Sequence, residues 1–191
     1  MPRTAKISGQ DKPVLYTIGH STHPMEAFLA LLRQHEIALL ADVRSFPSSR
    51  RWPHFNQDQL KVSVESSGIG YSWQKALGGR RRSKLVDSPH SAWEVAAFRS
   101  YADYADGAEF AAGLQELIGL AMVRRSAIMC SEGLWWRCHR RIISDHMTVR
   151  GWEVRHIMPD GKLAPHPLTE FARIEHGRIL YDGGQSGLKL K

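Results

Sequence analysis

A segment in the last third of the chain concentrates side chains that can do chemistry. It spans residues 128–141 and reads IMCSEGLWWRCHRR. The segment contains both cysteines of the chain, Cys130 and Cys138, together with Glu132 and His139. Thiols, carboxylates and imidazoles can act as nucleophiles, as acid–base groups or as metal ligands. The segment is therefore the first candidate for a functional site.

The thiol of Cys138 is the candidate nucleophile. Apolar residues from Ile142 onward predict a helix over about 138–150, which would put this thiol in the first helical turn. A helix N-terminus and the neighbouring Arg137, His139 and Arg140 would stabilise a thiolate. However, Cys138 also lies four residues before Ile142 on the apolar stripe, which fits a buried, inert cysteine. Both interpretations remain open.

A metal site is the second chemistry that these residues suggest. Cys130, Cys138 and His139 are soft ligands, and His20 or Asp42 could join them in space. The spacing matches no paired Cys-x-x-Cys motif, and adjacent residues on a helix point about 100° apart. We therefore expect that Cys138 and His139 do not both bind a metal. The sequence predicts no bound cofactor, with a metal as the alternative.

Four side chains are candidates for proton transfer, namely Glu132, His20, His139 and Asp42. A carboxylate beside a histidine orients the ring and tunes its protonation, which suits general acid–base catalysis. Asp42 and Arg44 share one face of a predicted strand, so a local ion pair is an alternative for them. Glu132 could likewise pair with a nearby arginine instead of moving protons.

Arginines around the same segment predict that the site binds an anion. We prefer Arg44 and Arg140 as clamps, because a guanidinium group can grip a phosphate or a carboxylate with two hydrogen bonds. Ser21, Cys130 and Arg137 complete the predicted ligand-binding set.

Two basic loops suggest contact with nucleic acid. They contain the predicted nucleic-acid-binding residues Arg50, Arg51, Trp52, Arg80, Arg81 and Arg82. Arginine can contact phosphates while a tryptophan ring stacks on a base. The formal net charge of +7 would also attract a polyanion. The alternative is that these loops are simply solvated, and the chain has no zinc-finger, Walker or dinucleotide-binding pattern.

Alternating apolar runs indicate the elements that must position these residues. Strands are predicted at about 14–18, 37–43, 69–73, 126–130 and 154–158, with helical patterns between them. This alternation predicts an α/β fold with a single domain, a mostly parallel β-sheet flanked by helices on both faces. We place the domain at residues 13–182, between a flexible N-terminus (1–12) and a flexible C-terminal tail (183–191).

The parallel arrangement predicts where the polar residues meet. His20 and Ser21 follow the first strand, Asp42 belongs to the end of the second, and Cys130 ends the fourth. Cys138 begins the next predicted helix at the same edge. Open α/β sheets bind ligands at the carboxyl ends of their strands. We therefore predict one site at this edge.

Composition narrows the class of protein. The 191 residues are 42% hydrophobic, which is enough for a folded core. No apolar run approaches the roughly 20 residues of a transmembrane helix, and the first residues lack the apolar core of a signal peptide. We therefore expect a cytoplasmic protein that has no membrane association and keeps its two cysteines reduced.

Several short motifs resemble a known bacterial family, filed as domain of unknown function 488. The motifs that carry the resemblance are YTIGHS at 16–21, DVR at 42–44 with Pro47 and Ser49, LGG at 77–79, CSE at 130–132 and CHR at 138–140. The resemblance covers roughly residues 14–175 and implies a compact α/β domain marked by these polar positions. It implies no reaction, because the family has no settled biochemical function.

The leading hypothesis is a small enzyme that acts on an anionic substrate bound at the carboxyl edge of the sheet. The substrate would be a nucleotide, a nucleic-acid end or a phosphorylated metabolite. Glu132 with His20 or His139 would move protons, and Cys138 would supply a nucleophile. Two alternatives remain, a non-catalytic nucleic-acid-binding module and a metal or redox sensor that uses both thiols. The sequence leaves the oligomeric state undetermined.

Overall fold

A six-stranded sheet forms the centre of the molecule, which the computed structural model describes for residues 12–82, 85 and 87–184. The parallel strands are β1 (Val14–Gly19), β2 (Leu39–Asp42), β3 (Gly70–Trp73), β4 (Ser126–Cys130) and β5 (Glu153–Ile157). A short strand, β6 (Leu163–Pro165), pairs antiparallel with β5. The order across the sheet is β3-β2-β4-β1-β5-β6.

Helices cover both faces of this sheet. They are α1 (Met25–Gln34), α2 (Gln57–Ser66), α3 (Ala96–Ala105), α4 (Ala108–Val123) and α5 (Arg140–Val149). Buried residues of α1 and α2 form one apolar layer, and those of α3, α4 and α5 form the other. Alternate residues of a strand point to opposite faces, so β4 gives Met129 to the first layer and Ile128 to the second. The predicted α/β fold is confirmed.

The order of the strands opens a crevice at the carboxyl edge of the sheet. Strand β4 lies between β1 and β2. The helices that follow β1 and β2 pack on one face, whereas α5, which follows β4, packs on the other. The loops after these neighbouring strands therefore diverge to opposite sides. Such a divergence is where open α/β sheets leave room for a ligand.

The structure corrects three sequence-based expectations. Helix α5 begins at Arg140 rather than near Cys138, because a 3-10 turn at Trp135–Arg137 and an extended Cys138 precede it. Strand β6 was not predicted. The same holds for a hairpin of β7 (Ala172–Glu175) and β8 (Arg178–Tyr181), whose Ile179 and Tyr181 join the second apolar layer. These short strands lack a long apolar run, and only their packing against the domain makes them stable.

The ends of the chain add little to this description. The segments expected to be flexible, residues 1–12 and 183–191, fall almost entirely outside the described residues. Among the helices that the structure does describe, none has both the length and the apolar character needed to cross a bilayer.

Candidate functional site

A cavity of about 600 Å³ opens in the crevice at the carboxyl edge of the sheet. The predicted acid–base and ligand-binding residues in its wall are His20, Ser21, Arg44, Cys130, Glu132, Arg137, Cys138 and His139. Asp42 and Arg140 are fully buried and lie behind this wall. The structure therefore brings most of the predicted site residues together around one space.

Two thiols and one imidazole form the core of this site, and we call Cys130, Cys138 and His139 the thiol–imidazole cluster. Their ligand atoms all lie within 4.8 Å of one another. Nδ1 of His139 is 3.5 Å from Sγ of Cys138 and 3.9 Å from Sγ of Cys130. Both cysteines are free thiols. The sequence could not show that they approach each other, because eight positions separate them along the chain.

The backbone around Cys138 explains this convergence. Cys138 has an extended conformation, with φ −136° and ψ 149°, and His139 is the N-cap of α5. The two side chains therefore do not diverge as they would on consecutive positions of a helix. The expectation that Cys138 and His139 point apart is wrong, because the helix starts after both of them.

His139 is held in one tautomer by its backbone partner. Its Nε2 lies 2.9 Å from the carbonyl oxygen of Val43, which can only accept, so Nε2 carries a proton. The lone pair of a neutral His139 is therefore on Nδ1, the atom that faces the two sulfurs. This imidazole can accept a proton from a thiol or donate an electron pair to a metal.

The protonation of the cluster follows from its charges. Burial alone would raise the pKa of Cys138, but the hydrogen bond with Cys130 and the cations His139 and Arg140 hold this pKa well below its usual range. Burial lowers the pKa of His139, but the facing Cys138 outweighs it and raises that pKa. The neighbouring Cys138 and burial raise the pKa of Cys130. The arrangement thus favours a thiolate on Cys138.

Glu132 and Arg140 each contact one sulfur of the cluster. The carboxylate of Glu132 is exposed in the cavity wall and accepts a hydrogen bond from the thiol of Cys130 at 2.8 Å. Arg140 is only 1% exposed, and its Nε donates to Sγ of Cys138 at 3.4 Å. Its terminal nitrogen donates to the backbone carbonyl of Glu132. Arg140 therefore stabilises the cluster and the loop rather than standing open as an anion clamp.

Asp42 and Arg44 form the local ion pair that their spacing allowed. Nη2 of Arg44 lies 2.6 Å from Oδ2 of Asp42, and Nε lies 2.8 Å from Oδ1. The hydroxyl of Tyr71 donates to the same carboxylate at 2.8 Å, and Arg44 also donates to the carbonyl of Phe55 at 2.8 Å. The pair is buried, so its two charges largely cancel at the base of the cavity.

His20 is a neutral residue of the wall. Its ring stacks on Phe55 with a centroid distance of 4.0 Å, and its Nδ1 donates to the carbonyl of Ser21. Burial and the charge of Arg44 lower the pKa of His20 to about 4. Its Nε2 is buried without a hydrogen-bond partner among the described residues. Near neutral pH, His20 can therefore accept a proton but has none to give from Nε2.

Two glycines shape the site in a way that the sequence motif did not explain. A Cβ on Gly79 would lie 2.3 Å from Nδ1 of His139, and a Cβ on Gly19 would lie 1.9 Å from the carbonyl oxygen of Glu132. Only a residue without a side chain allows these close approaches. The glycines of the YTIGHS and LGG motifs thus let the backbone pack directly against the cluster and its loop.

The predicted basic loops surround the mouth of the cavity but differ in their contacts. Arg80 and Arg137 are exposed and line the cavity, and neither forms an ion pair within the described part of the chain. Arg81 is tied to the structure, because it stacks 3.8 Å from the ring centroid of Tyr104 and pairs with Glu109.

The remaining arginines of the basic loops do not belong to the cavity lining. Arg50, Arg51 and Arg82 are exposed. Arg51 lies 5.5 Å from the ring centroid of Trp52, which itself lines the cavity. Nearby Phe46 is 68% exposed and lies under Arg80. Ser83 and Lys84, which follow Arg82 in the same loop, fall outside the described residues.

A buried chain of polar side chains connects α5 with β1. Asp145 of α5 accepts from His166, whose other nitrogen contacts His156, and His156 contacts the hydroxyl of Thr17. Arg141 and Asp145 have the spacing of a helical ion pair, but Asp145 points inward to this chain while Arg141 pairs with Glu170.

Comparison with known proteins places this geometry in a family without a described function. A family model described as "Domain of unknown function DUF488" matches residues 24–147. No curated protein and no solved structure matches the chain. The match includes the Asp42–Arg44 pair and the thiol–imidazole cluster.

Proposed function

The chain belongs to the DUF488 family, and on that premise we propose that it is a small enzyme acting on an anionic substrate bound in the cavity. One observation carries this proposal. The same cavity has two exposed arginines at its rim and two thiols, an imidazole and a carboxylate in its wall. A site that can both hold an anion and move protons or electron pairs has the parts that an enzyme needs.

Arg80 and Arg137 are the groups that would bind the anion. Both are exposed at the cavity and have no carboxylate partner among the described residues. Arg44, in contrast, is neutralised by Asp42, and Arg140 is buried against Cys138. The anion-binding role therefore passes from the buried Arg44 and Arg140 to the exposed Arg80 and Arg137.

Aromatic side chains beside these arginines favour a nucleotide among the candidate anions. Phe46, Trp52 and Phe98 line the cavity together with Arg80. An aromatic ring can stack on a base while arginine contacts the phosphate. A phosphorylated metabolite without a ring would use only part of this surface.

Glu132 and the thiol–imidazole cluster would perform the chemistry. The carboxylate of Glu132 faces the cavity and already accepts a hydrogen bond from Cys130, so it can accept a proton there. His20, which also lines the cavity, would play a supporting role as a neutral acceptor. The cluster lies deeper, where solvent is limited and electrostatic interactions are stronger.

Binding measurements on arginine variants test this proposal. Wild-type protein is titrated with nucleoside 5′-monophosphates and with inorganic phosphate, using calorimetry. We expect Arg80→Ala and Arg137→Ala each to weaken nucleotide binding about tenfold, because each removes a charged hydrogen bond. Arg33→Ala is the matched control, since Arg33 is a solvent-exposed arginine of α1 that pairs with Glu26. Unchanged affinity in both cavity variants would contradict the proposal.

A non-catalytic nucleic-acid-binding module is the second candidate, and the exposed Phe46 and the Arg51–Trp52 contact favour it. Single- and double-stranded oligonucleotides would then bind with an affinity that falls steeply with salt. Arg51→Ala would weaken this binding, whereas Glu132→Gln would leave it unchanged. Salt-insensitive or absent binding would eliminate this candidate.

A further inference from the structure

We propose that Cys130, Cys138 and His139 bind a zinc ion whose fourth coordination position opens into the cavity, with Glu132 placed to accept a proton from a water molecule at that position. This proposal deepens the proposed function by naming the chemistry of the same site. The metal itself does not depend on the proposed function, because the geometry of the three ligands carries it.

The distances between the ligand atoms fit a tetrahedral ion. Zinc binds thiolate sulfur at about 2.3 Å and imidazole nitrogen at about 2.0 Å, so neighbouring sulfur and nitrogen ligands lie about 3.5 Å apart. Sγ of Cys138 and Sγ of Cys130 lie 3.5 Å and 3.9 Å from Nδ1 of His139. All three atoms lie within 4.8 Å of one another, so shifts of about 1 Å or less would bring them around one ion.

The surroundings of His139 match those of a metal-bound histidine. A ligating imidazole commonly donates its other N–H to a carbonyl or a carboxylate, which fixes the ring and its tautomer. His139 does this through Nε2, which donates to the carbonyl of Val43 at 2.9 Å. The backbone of Gly79 packs against the same ring. Nδ1 is therefore held toward the sulfurs, and once the ring is neutral its lone pair points at them.

The charge of Arg140 also indicates thiolate ligands. Arg140 is 1% exposed, and in the described part of the chain its guanidinium contacts a sulfur and a carbonyl rather than a carboxylate. A buried cation needs a nearby negative charge. Two thiolates, a divalent cation and a hydroxide at the fourth position sum to a charge of −1, which balances the buried Arg140 beside Cys138.

The remaining coordination position faces the cavity. All three ligands are in the cavity wall, and Glu132 is exposed beside Cys130. Three protein ligands with an open fourth position are typical of catalytic zinc, whereas a structural site is closed by four. The thiol of Cys130 donates a hydrogen bond to Glu132 in this structure. When a metal binds, this thiol releases its proton to solvent. Glu132 is then free to take a proton from a zinc-bound water, which leaves a zinc-bound hydroxide.

The choice of zinc follows from the ligand types. Two thiolates and an imidazole are soft to borderline donors, which disfavour magnesium and calcium and suit zinc. A metal with three protein ligands and a bound hydroxide supports hydrolysis of a polarised substrate. The expected reaction class is therefore metal-assisted hydrolysis of the bound anion.

Metal analysis of the full chain tests the site without knowledge of the substrate. The protein is expressed with added zinc, purified under reducing conditions without chelator and analysed by elemental mass spectrometry. We expect about one equivalent of zinc per chain. Replacement by Co²⁺ should give thiolate-to-cobalt charge-transfer absorption and visible bands of tetrahedral cobalt. A wild-type protein with neither zinc nor cobalt bands would overturn the proposal.

Variants locate the ion and separate the roles of the residues. Cys138→Ser and His139→Gln should lose the bound metal, and His176→Gln, in the exposed turn between β7 and β8, should keep it. Retention of full metal by both cluster variants would overturn the proposal. Glu132→Gln should keep the metal with unchanged cobalt bands, and loss of metal in this variant would overturn the role of Glu132 as a base.

The two proposals fail in different ways. A protein that binds zinc at the cluster but no nucleotide keeps the metal site and contradicts the proposed function. A protein that binds nucleotides through Arg80 and Arg137 but takes up no metal keeps the proposed function and overturns the metal site. If a cysteine variant does not fold, cobalt titration of wild-type protein and protection of its thiols from alkylation by zinc still decide the question.

Discussion

At the scale of single residues, the site depends on positions where a side chain is absent as much as on those that carry chemistry. Gly79 is the clearest case, because its backbone lies directly against the ring of His139. The sequence showed this glycine only as part of a short motif. The structure shows that a methyl group there would collide with the nitrogen that faces both sulfurs.

Gly79→Ala is therefore expected to displace His139. Overpacking at a site that cannot relax costs about 1–3 kcal/mol of unfolding free energy, and the variant should also lose the cobalt bands of the cluster. Urea unfolding and the cobalt spectrum measure both effects. Gly119→Ala is the matched control, since a Cβ there meets nothing within 4 Å in the middle of α4. We expect the free energy of unfolding of Gly119→Ala to be unchanged or higher by up to about 1 kcal/mol. If Gly79→Ala and Gly119→Ala had the same unfolding free energy and the same cobalt spectrum, the steric role of Gly79 would be refuted.

At the scale of elements, the position of α5 decides whether the cluster forms. Helix α5 supplies Arg140 and follows directly after Cys138 and His139. Its anchor is Asp145, which accepts hydrogen bonds from the side chains of His166, Thr169 and Tyr181. These partners come from the C-terminal part of the chain. The hairpin and the preceding loop therefore fix the helix that carries one side of the site.

Asp145→Ala tests this anchoring. Removing the buried carboxylate leaves several donors without an acceptor, so we expect a loss of about 3–5 kcal/mol in the free energy of unfolding. Chemical denaturation measures this change. Asp160→Ala is the control, because Asp160 is an exposed aspartate paired with Lys162, and its removal should have little effect. If Asp145→Ala lowered the free energy of unfolding no more than Asp160→Ala does, Asp145 would not be the anchor of α5.

At the scale of the whole molecule, buried neutral histidines make the fold sensitive to acid. Burial and nearby arginines lower the pKa of both His20 and His146 to about 4. Burial and His166 lower the pKa of His156 to about 2. In the unfolded chain these rings titrate near the ordinary value of about 6.5. The unfolded state therefore binds more protons than the folded state as the pH falls below this value.

Stability is accordingly expected to fall between pH 6.5 and about 4. The decrease should amount to several kcal/mol, because each histidine is neutral in the fold and charged in the unfolded chain over this window. Urea denaturation at successive pH values measures it. His146→Gln should reduce the slope, whereas the exposed His176→Gln should not. A free energy of unfolding that is constant from pH 6.5 to 4 would contradict the assignment.

Much of the fold could be predicted from local patterns. The five parallel strands and the alternation with helices follow from apolar runs, which are properties of neighbouring residues. Local patterns could not predict β6 and the β7–β8 hairpin, because these short strands depend on packing with distant residues. The ion pair of Asp42 and Arg44 was among the predicted alternatives, since residues two apart on a strand share a face.

By itself, the sequence determined the α/β class and the edge of the sheet at which the polar motifs gather, since parallel strands end at one edge. Only the tertiary structure decided which of these groups touch. Cys138 and His139 converge with Cys130 because α5 starts after them, and that start depends on the turn at Trp135–Arg137 packing against the rest of the domain. Arg140 is occupied for the same kind of reason, because it contacts Cys138 and the carbonyl of Glu132 in the loop before α5.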